Sequence, residues 1–248
     1  MELKKINEET VKAIKLETQK GAEIKGENLF DIEFFNLFVC SKKRSGKTNL
    51  IFHILKKLYN PKRSHIIICS STVSKDKNWI QILDYFEKHY KEPSIHTYTS
   101  IAEDNVVAEL MDMCSNDKDD KDDYLLVIDD LSQELSKPII SVLLKKNRHL
   151  RMKVILSSQY WNDLDKQARL QLDYIFIFPN IPEEKLKLIH KESDLSIEYE
   201  DFKSMYRTAT EKQYNFFYIN ARTEEFRKNF DQQFLKPAPS NIVNGEET

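Results

Sequence analysis

Short apolar runs without polar alternation recur along the chain, separated by segments with helical periodicity. The runs cover residues 35–39, 66–69, 124–128, 154–156, 174–178 and 216–219. Continuous runs of this length are typical of strands buried on both faces, as in a parallel sheet covered by helices. The pattern therefore predicts six buried strands.

Between these runs, apolar residues spaced three and four positions apart form three stripes, as expected for amphipathic helices. The stripes consist of Leu50, Ile51, Ile54, Leu55 and Leu58; of Trp79, Ile82, Leu83, Phe86 and Tyr90; and of Val106, Val107, Leu110, Met111 and Cys114. After residue 179, two more helices and a last strand over 214–220 are expected. This alternation predicts a doubly wound α/β domain, with a mostly parallel central sheet sandwiched by helices.

The chain of 248 residues divides into three parts. Residues 29–235 are expected to form one domain, since this length suits a single α/β unit with small additions. The polar residues 1–28 could be an N-terminal arm or helix, and the Pro-containing residues 236–248 read as a disordered tail. Residues 115–123 lack the central Gly and terminal Glu of an EF-hand, so a solvated acidic loop is favoured over a calcium site.

Composition narrows the class of protein only in part. Forty per cent of the residues are hydrophobic, enough for a sizeable core, and no apolar run approaches the length of a membrane segment. Three widely spaced cysteines, Cys40, Cys69 and Cys114, indicate a soluble protein of a reducing compartment rather than a disulfide framework or zinc site. The net charge of −2 neither supports nor excludes a nucleic-acid partner, because a motor can grip DNA through a few loops.

The strongest chemical signal lies between the first apolar run and the first helical stripe. It consists of Ser41, Lys42, Lys43, Arg44, Ser45, Gly46, Lys47, Thr48 and Asn49. A strand, a glycine-containing loop and a helix N-terminus together form a phosphate-binding loop, in which free N–H groups point at the phosphates of ATP. Gly46 would allow close backbone approach, Lys47 would reach the β- and γ-phosphates, and Thr48 would bind Mg²⁺. The alternative is an ordinary basic turn.

A second signal is the carboxylate pair Asp129 and Asp130 at the end of the run 124–128. Beside a phosphate loop, Asp129 would hold the Mg²⁺ ion and Asp130 could act as the general base for the attacking water. Paired acids at a strand end are also common as helix caps, and a new turn starts at Ser132. The phosphate loop upstream favours the catalytic interpretation.

Two further candidates follow the carboxylates. Gln159, after the run 154–156, could hydrogen-bond the γ-phosphate or the attacking water, although a loop side chain satisfying backbone groups is an equally simple interpretation. The segment 144–153 carries five Lys or Arg and no acid. Cations at a helix C-terminus would explain it, but Arg148, or else Arg151, could also be supplied to the γ-phosphate of a neighbouring subunit.

From residue 35 to 178 the chain resembles the viral genome-packaging ATPases of the FtsK/HerA superfamily, which include the poxvirus-type enzymes of large DNA viruses and virophages. The resemblance rests on the order of the phosphate loop, Asn147-Arg148-His149-Leu150, the segment 154–159 ending in Ser-Ser-Gln, Arg169 and the segment 173–178. It implies a P-loop NTPase of the ASCE type, with Arg148 as a trans-acting finger and Gln159 as a sensor. Ser41 in place of Gly, and Asp130 where many members have Glu, depart from the family pattern.

The resemblance also implies partners and a location. A homo-oligomeric ring, a pentamer or hexamer, would use ATP and Mg²⁺ to drive double-stranded DNA into a preformed capsid and would dock on a capsid vertex or portal-like component. Such a protein would work in the host-cell cytoplasm, at the viral factory, and could enter the virion. Lysines near 74–77 and Lys137 are candidates for contacts with DNA phosphates.

Other functions share parts of this pattern. A helicase, or a chromosome or plasmid translocase, would use the same ATPase machinery. A nucleotide-dependent structural or assembly protein would not need the water-activating acid. A small-molecule kinase would need an acceptor site and an arginine-rich lid, and a GTPase is disfavoured because no Asn-Lys-x-Asp motif follows a strand.

Overall fold

The computed structural model describes residues 26–101, 106–115 and 122–235. Residues 1–25 of the predicted arm, residues 116–121 of the predicted acidic loop and the whole predicted tail 236–248 lie outside the described residues.

The described residues contain nine strands, which form a single sheet. They are β1 (Asn36–Cys40), β2 (Ser64–Cys69), β3 (Ile95–Tyr98), β4 (Asp123–Asp129), β5 (Met152–Ser158), β6 (Tyr174–Ile177), β7 (Phe217–Asn220), β8 (Glu225–Lys228) and β9 (Gln232–Gln233). The strands lie in the order β3-β2-β4-β5-β1-β6-β7-β8-β9. The six strands from β3 to β6 in this order are parallel, whereas β7, β8 and β9 join antiparallel.

Eight helices connect and cover the strands within the described part of the chain. They are α1 (Lys47–Leu58), α2 (Lys77–His89), α3 (Val106–Ser115), α4 (Ser132–Leu135), α5 (Pro138–Lys146), α6 (Lys166–Arg169), α7 (Glu183–Glu192) and α8 (Tyr199–Ala209), with a 3₁₀ turn at Trp161–Asp163.

Two apolar cores lie on the opposite faces of the sheet. Alternate residues of β1 separate between them: Leu37 and Val39 pack with α1 and α2, whereas Phe38 packs on the other face with α3, α5 and α8. Every residue of β1, β4 and β5 is buried. This two-sided burial explains the continuous apolar runs, because neither face of these strands meets water. The predicted parallel sheet sandwiched by helices is therefore confirmed.

The predicted strands and helices are present with small shifts of their ends, but the apolar pattern did not predict every element of the structure. The predicted last strand, β7, is followed by the β8–β9 hairpin, so that expectation is wrong. Strand β3 is a sheet edge with two exposed residues, His96 and Thr97, and lacks an apolar run. β8 contains one fully buried residue, Phe226, among charged neighbours. No helix among the described residues is long and apolar enough to cross a bilayer.

Candidate functional site

The predicted phosphate loop connects the carboxyl end of β1 to the start of α1. Gly46 has φ 93° and ends the loop in the left-handed region that favours glycine. A Cβ atom there would lie 3.0 Å from Cδ1 of Tyr214. The first turn of α1 is Lys47, Thr48 and Asn49, with no acidic side chain to compete for its N–H groups. This helix N-terminus is therefore suited to an anion.

Lys47 lies between the two carboxylates that the sequence singled out. Its Nζ atom is 2.8 Å from Oδ1 of Asp129 and 2.8 Å from Oδ1 of Asp130. Burial lowers the pKa of Lys47, but the two carboxylates outweigh it and raise the pKa above the ordinary value. The ammonium group therefore stays charged at the point where a phosphate chain would enter.

Asp129 is the buried member of the pair, with 4% of its surface exposed. Its Oδ2 accepts a hydrogen bond of 3.1 Å from the indole Nε1 of Trp79, and its Oδ1 accepts one from Ser157 Oγ. Donors on both oxygens fix the orientation of this buried carboxylate. This fits a ligand for Mg²⁺, whose hard oxygen donors are usually oriented by neighbouring groups.

Asp130 has a different environment. Its side chain is 38% exposed and its backbone is left-handed, with φ 55°. Such a conformation is uncommon outside glycine and turns the side chain away from the direction of β4. Helix α4 begins two residues later and has Leu131 at its N-cap, so the cap interpretation of the acid pair is wrong.

Strand β5 lies between β1 and β4 and brings the third predicted element beside the loop. Cys40 pairs with Ser158, and Asp129 pairs with Ser157. Ser158 is anchored by Ser132 Oγ at 2.9 Å and donates to Asp163. Gln159, half-buried, follows at the same edge as the phosphate loop. A strand inserted between the phosphate-loop strand and the Asp129 strand is the arrangement of the predicted ASCE type.

The loop, Asp130 and the segment after β2 surround one cleft of about 550 Å³. Residues 42–49 line one side of it, and Thr72, Asp76 and Asn78 line another, with Asp130 and Tyr214 completing it. Of the predicted cofactor-binding residues, Ser41 is buried below the cleft, where its backbone N–H donates to Ser158 O at 3.0 Å. The hydroxyls of Ser41 and Ser45 are buried without a hydrogen-bond partner among the described residues.

Arg148 lies at the opposite edge of the sheet. It precedes β5, and its Nη2 atom is 3.5 Å from Oδ1 of Asp173, which in turn accepts a hydrogen bond from the N–H of Asn36 at the start of β1. The five residues of β1 span roughly 13 Å, so Arg148 cannot reach the phosphate loop of its own chain. Its side chain is 68% exposed. Arg151 donates to the carbonyl of Asp122 at 2.8 Å and lies over the Phe34 ring.

Sequence reasoning missed two contributors to the site. Trp79 was assigned to the apolar stripe of α2, where its ring does pack, but its Nε1 also reaches Asp129. Tyr214 was assigned to the predicted last strand, yet it lies in the loop before β7 with φ 71° and 60% exposure. An aromatic residue beside the polar segment 210–213 was the one available signal for Tyr214.

Comparison with known families and structures agrees with this fold. A family model described as "Poxvirus A32 protein" matches residues 22–224. A comparison with curated protein sequences found no match.

Among solved structures, the genome packaging NTPase B204 of Sulfolobus turreted icosahedral virus 2, in complex with AMPPCP, is similar with a TM-score of 0.57 and 20% identity over 78% of this chain and 96% of that one. The DNA-packaging ATPase B204 of Sulfolobus turreted icosahedral virus gives 0.56 and 23%, over 78% and 95%. ATPases 2 and 3 of Thermomonospora curvata EccC give 0.51 and 13%, over 80% and 36%. At these identities the likeness shows the fold.

Proposed function

We propose that this chain, which belongs to the poxvirus A32 protein family, hydrolyses ATP to drive double-stranded DNA into a viral capsid. The observation that carries the proposal is the meeting of Lys47, Asp129 and Asp130 at the N-terminus of α1. A purely structural nucleotide site would need the cation and the helix but not a second, exposed carboxylate at a strained backbone position.

The residues present fit a nucleotide with a divalent cation. Thr48 and Asp129 would hold Mg²⁺, which would neutralise negative charge developing on the phosphates. The buried hydroxyls of Ser41 and Ser45, which lack partners among the described residues, are further polar groups at the loop. The similar protein B204 was solved with AMPPCP and with ATP-gammaS. These ATP analogues support ATP as the nucleotide of the proposed site.

The residues of this chain divide the work in the proposed mechanism. Lys47 would leave its carboxylate partners to bind the phosphates, and this would free Asp130 to accept a proton from the attacking water. Gln159, at the same edge, would contact the γ-phosphate. A shift of Gln159 would then move the neighbouring Ser158 and, through the hydrogen bond from Ser158 to Asp163, the 3₁₀ turn. Arg148 would act on the γ-phosphate of the neighbouring subunit in a ring, because its own site is out of reach.

The test is ATP hydrolysis by the purified protein with and without double-stranded DNA, for wild type, Lys47→Ala and Asp130→Asn. We expect DNA to stimulate wild type. Lys47→Ala should lose nucleotide binding and turnover together, whereas Asp130→Asn should keep binding and lose roughly 100-fold or more in turnover, the usual contribution of a general base.

The outcomes also separate this proposal from its rivals. Nucleotide binding without hydrolysis, even on DNA, would favour a nucleotide-dependent assembly protein. Stimulation by DNA together with strand separation would favour a helicase. Packaging itself requires protection of DNA from nuclease inside purified empty capsids, with Asp130→Asn as the inactive control. The same cleft would serve all these functions, and membership of the poxvirus A32 protein family supports packaging among them.

A further inference from the structure

A second cavity of about 330 Å³ adjoins the phosphate cleft. The two cavities share Gly46, Asn49 and Tyr214. Unlike the cleft, this cavity is mostly apolar, and its other walls are Leu50 and His53 from α1 and three phenylalanines, Phe178, Phe216 and Phe230. No residue of the phosphate chain's proposed binding set, beyond the shared ones, lines this cavity.

The cavity follows one face of α1. Residues 46, 49, 50 and 53 recur with the spacing of a single helical face, so the cavity runs along the helix whose N-terminus meets the phosphates. The ribose and base of a nucleotide are covalently tied to the α-phosphate and must lie close to it. A cavity that starts at the phosphate loop and continues along α1 is therefore within reach of the base.

The walls have the chemistry of a stacking site. Phe216 and Phe230 meet edge to face at 5.2 Å between centroids, and His53 stacks on Phe230 at 5.8 Å. Phe178 and Phe216 are buried and form a rigid floor. Flat heterocycles bind such ring-lined, water-poor surfaces well. A third cavity near the loop also borders Tyr214, but its other walls are mostly polar and include Lys42, Lys43 and Arg44, which suit phosphates better than a base.

Tyr214 stands where the two cavities meet. Its ring covers Gly46, its backbone has φ 71°, and 60% of its surface is exposed. A bulky residue in the left-handed region costs conformational free energy, and residues with such backbone strain cluster at functional sites. The ring has one side on the phosphate-loop glycine and can contact a ligand in the apolar cavity with the other.

We propose that this cavity is the base subsite of the nucleotide site and that Tyr214 packs its ring against the purine. The subsite rests on the proposed function, since it takes the phosphate cleft to be a nucleoside triphosphate site. Recognition would come mainly from stacking, with Asn49 and His53 as the polar side chains that could contact the base edge.

The experiment compares the affinity for ATP with that for inorganic tripolyphosphate, which has the phosphate chain but no base, by calorimetry. Tyr214→Ala should weaken ATP binding about tenfold, in the range found for loss of one base–aromatic stack, and leave tripolyphosphate affinity unchanged. Tyr214→Phe should bind ATP like wild type. Tyr160→Ala, at another exposed tyrosine (62%), is the matched control and should change neither affinity.

Equal losses for both ligands in Tyr214→Ala, or no loss for either, would overturn the base subsite while leaving the phosphate site intact. If wild type binds neither ligand, the proposed function itself fails. Photolabelling with 8-azido-ATP is an independent check: adducts on residues 49–53, Phe216 or Phe230 support the subsite, and adducts confined to 42–44 or 210–213 place the base in the basic cavity instead.

Discussion

At the scale of single residues, the orientation of Asp129 depends on a tryptophan from a different element. The Nε1 atom of Trp79 donates to Asp129 Oδ2 from a fully buried ring. Trp79→Phe keeps most of the apolar contact and removes the donor. We expect the Mg²⁺ concentration for half-maximal hydrolysis to rise about tenfold, the usual effect of losing a group that orients a metal ligand. Measuring ATPase rates across a Mg²⁺ titration tests this.

The matched control for that change is Trp161→Phe. Trp161 is equally buried, and its Nε1 donates to Glu192 Oε2 at 2.6 Å rather than to the site. Both variants should lose a similar amount of thermal stability, because each loses one indole hydrogen bond. An unchanged Mg²⁺ dependence in Trp79→Phe, or the same shift in both variants, would remove Trp79 from the metal site.

The glycine of the phosphate loop provides a second residue-scale prediction. Gly46→Ala would place a Cβ 3.0 Å from Tyr214 at a backbone angle that alanine adopts at a cost of about 1–2 kcal/mol. Thermal unfolding with and without ATP should show a lower midpoint and no stabilisation by ATP. Gly26→Ala is the control, since Gly26 also has positive φ, but its Cβ would meet Leu58 far from the cleft. That variant should unfold earlier and still be stabilised by ATP.

The positions of the candidate site residues were largely predictable because they depend on local order along the chain. Gly46 and Lys47 stand at fixed offsets between a strand and a helix, and Asp129 ends a buried strand. Trp79 and Tyr214 could not be assigned in this way, because their roles depend on which elements the fold places side by side. An apolar stripe does not reveal that one ring also donates a hydrogen bond.

At the scale of elements, the central strands β4 and β5 carry a buried ion pair near their amino ends. Nζ of Lys153 is 2.5 Å from Oδ2 of Asp123, and both side chains are almost fully buried. Lys153 belongs to the basic segment that suggested a contact with phosphates, but its charge is used inside the fold. Lys153→Met should lower the free energy of unfolding by about 3–5 kcal/mol, because it leaves Asp123 buried without this partner.

The same pair has a pH dependence whose sign can be worked out. Burial lowers the pKa of Lys153 below its ordinary value of 10.5, so the unfolded chain holds that proton more tightly than the folded protein. The free energy of unfolding should therefore increase as the pH rises from the lowered pKa to 10.5, and this gain is lost as the pH drops back through the lowered pKa. Urea unfolding at about pH 8 and about pH 10 should show this rise in wild type relative to Lys153→Met/Asp123→Leu. Parallel pH curves would contradict it.

Element prediction succeeded where burial was two-sided. β1, β4 and β5 have no exposed residue and appear as uninterrupted apolar runs. β3, at one edge of the sheet, and β8, near the other, meet water on one face and contain too few apolar residues to stand out. The helices α4 and α6 have four residues each, too short for a stripe to appear. Missing these elements leaves the phosphate loop and the carboxylate pair unaffected, because both lie at the ends of central strands or at the start of α1.

At the scale of the whole molecule, the parallel sheet places the cleft and Arg148 at opposite edges. The proposed nucleotide cleft lies at the carboxyl edge, and Arg148 lies at the amino edge, where its Nη2 atom is 3.5 Å from Oδ1 of Asp173. Burial raises the pKa of Asp173, so its ion pair with Arg148 carries a desolvation cost. An exposed arginine in this position can serve catalysis only if a neighbouring subunit presents its cleft to the amino edge, as a head-to-tail ring would.

This geometry leads to a complementation prediction. Arg148→Ala and Lys47→Ala should each be inactive alone, the former with nucleotide binding intact and a loss of roughly 1,000-fold or more, as for other arginine fingers. In a mixed ring, an Arg148→Ala subunit keeps its cleft and can receive Arg148 from a Lys47→Ala neighbour. Random assembly of equal amounts creates such an interface about a quarter of the time, so mixing should restore a comparable fraction of wild-type turnover.

The control is a mixture of Lys47→Ala with the double variant Lys47→Ala/Arg148→Ala, which contains no intact cleft and should stay inactive. Arg151→Ala decides between the two candidate fingers. Its guanidinium already donates to the carbonyl of Asp122, so its loss should lower stability more than turnover. If the mixture of Arg148→Ala and Lys47→Ala recovers no ATP turnover while the subunits co-assemble, Arg148 does not act at the cleft of a neighbouring subunit. The exposed arginine would then have to contact DNA or the capsid, and salt-dependent DNA binding by Arg148→Ala would distinguish these two.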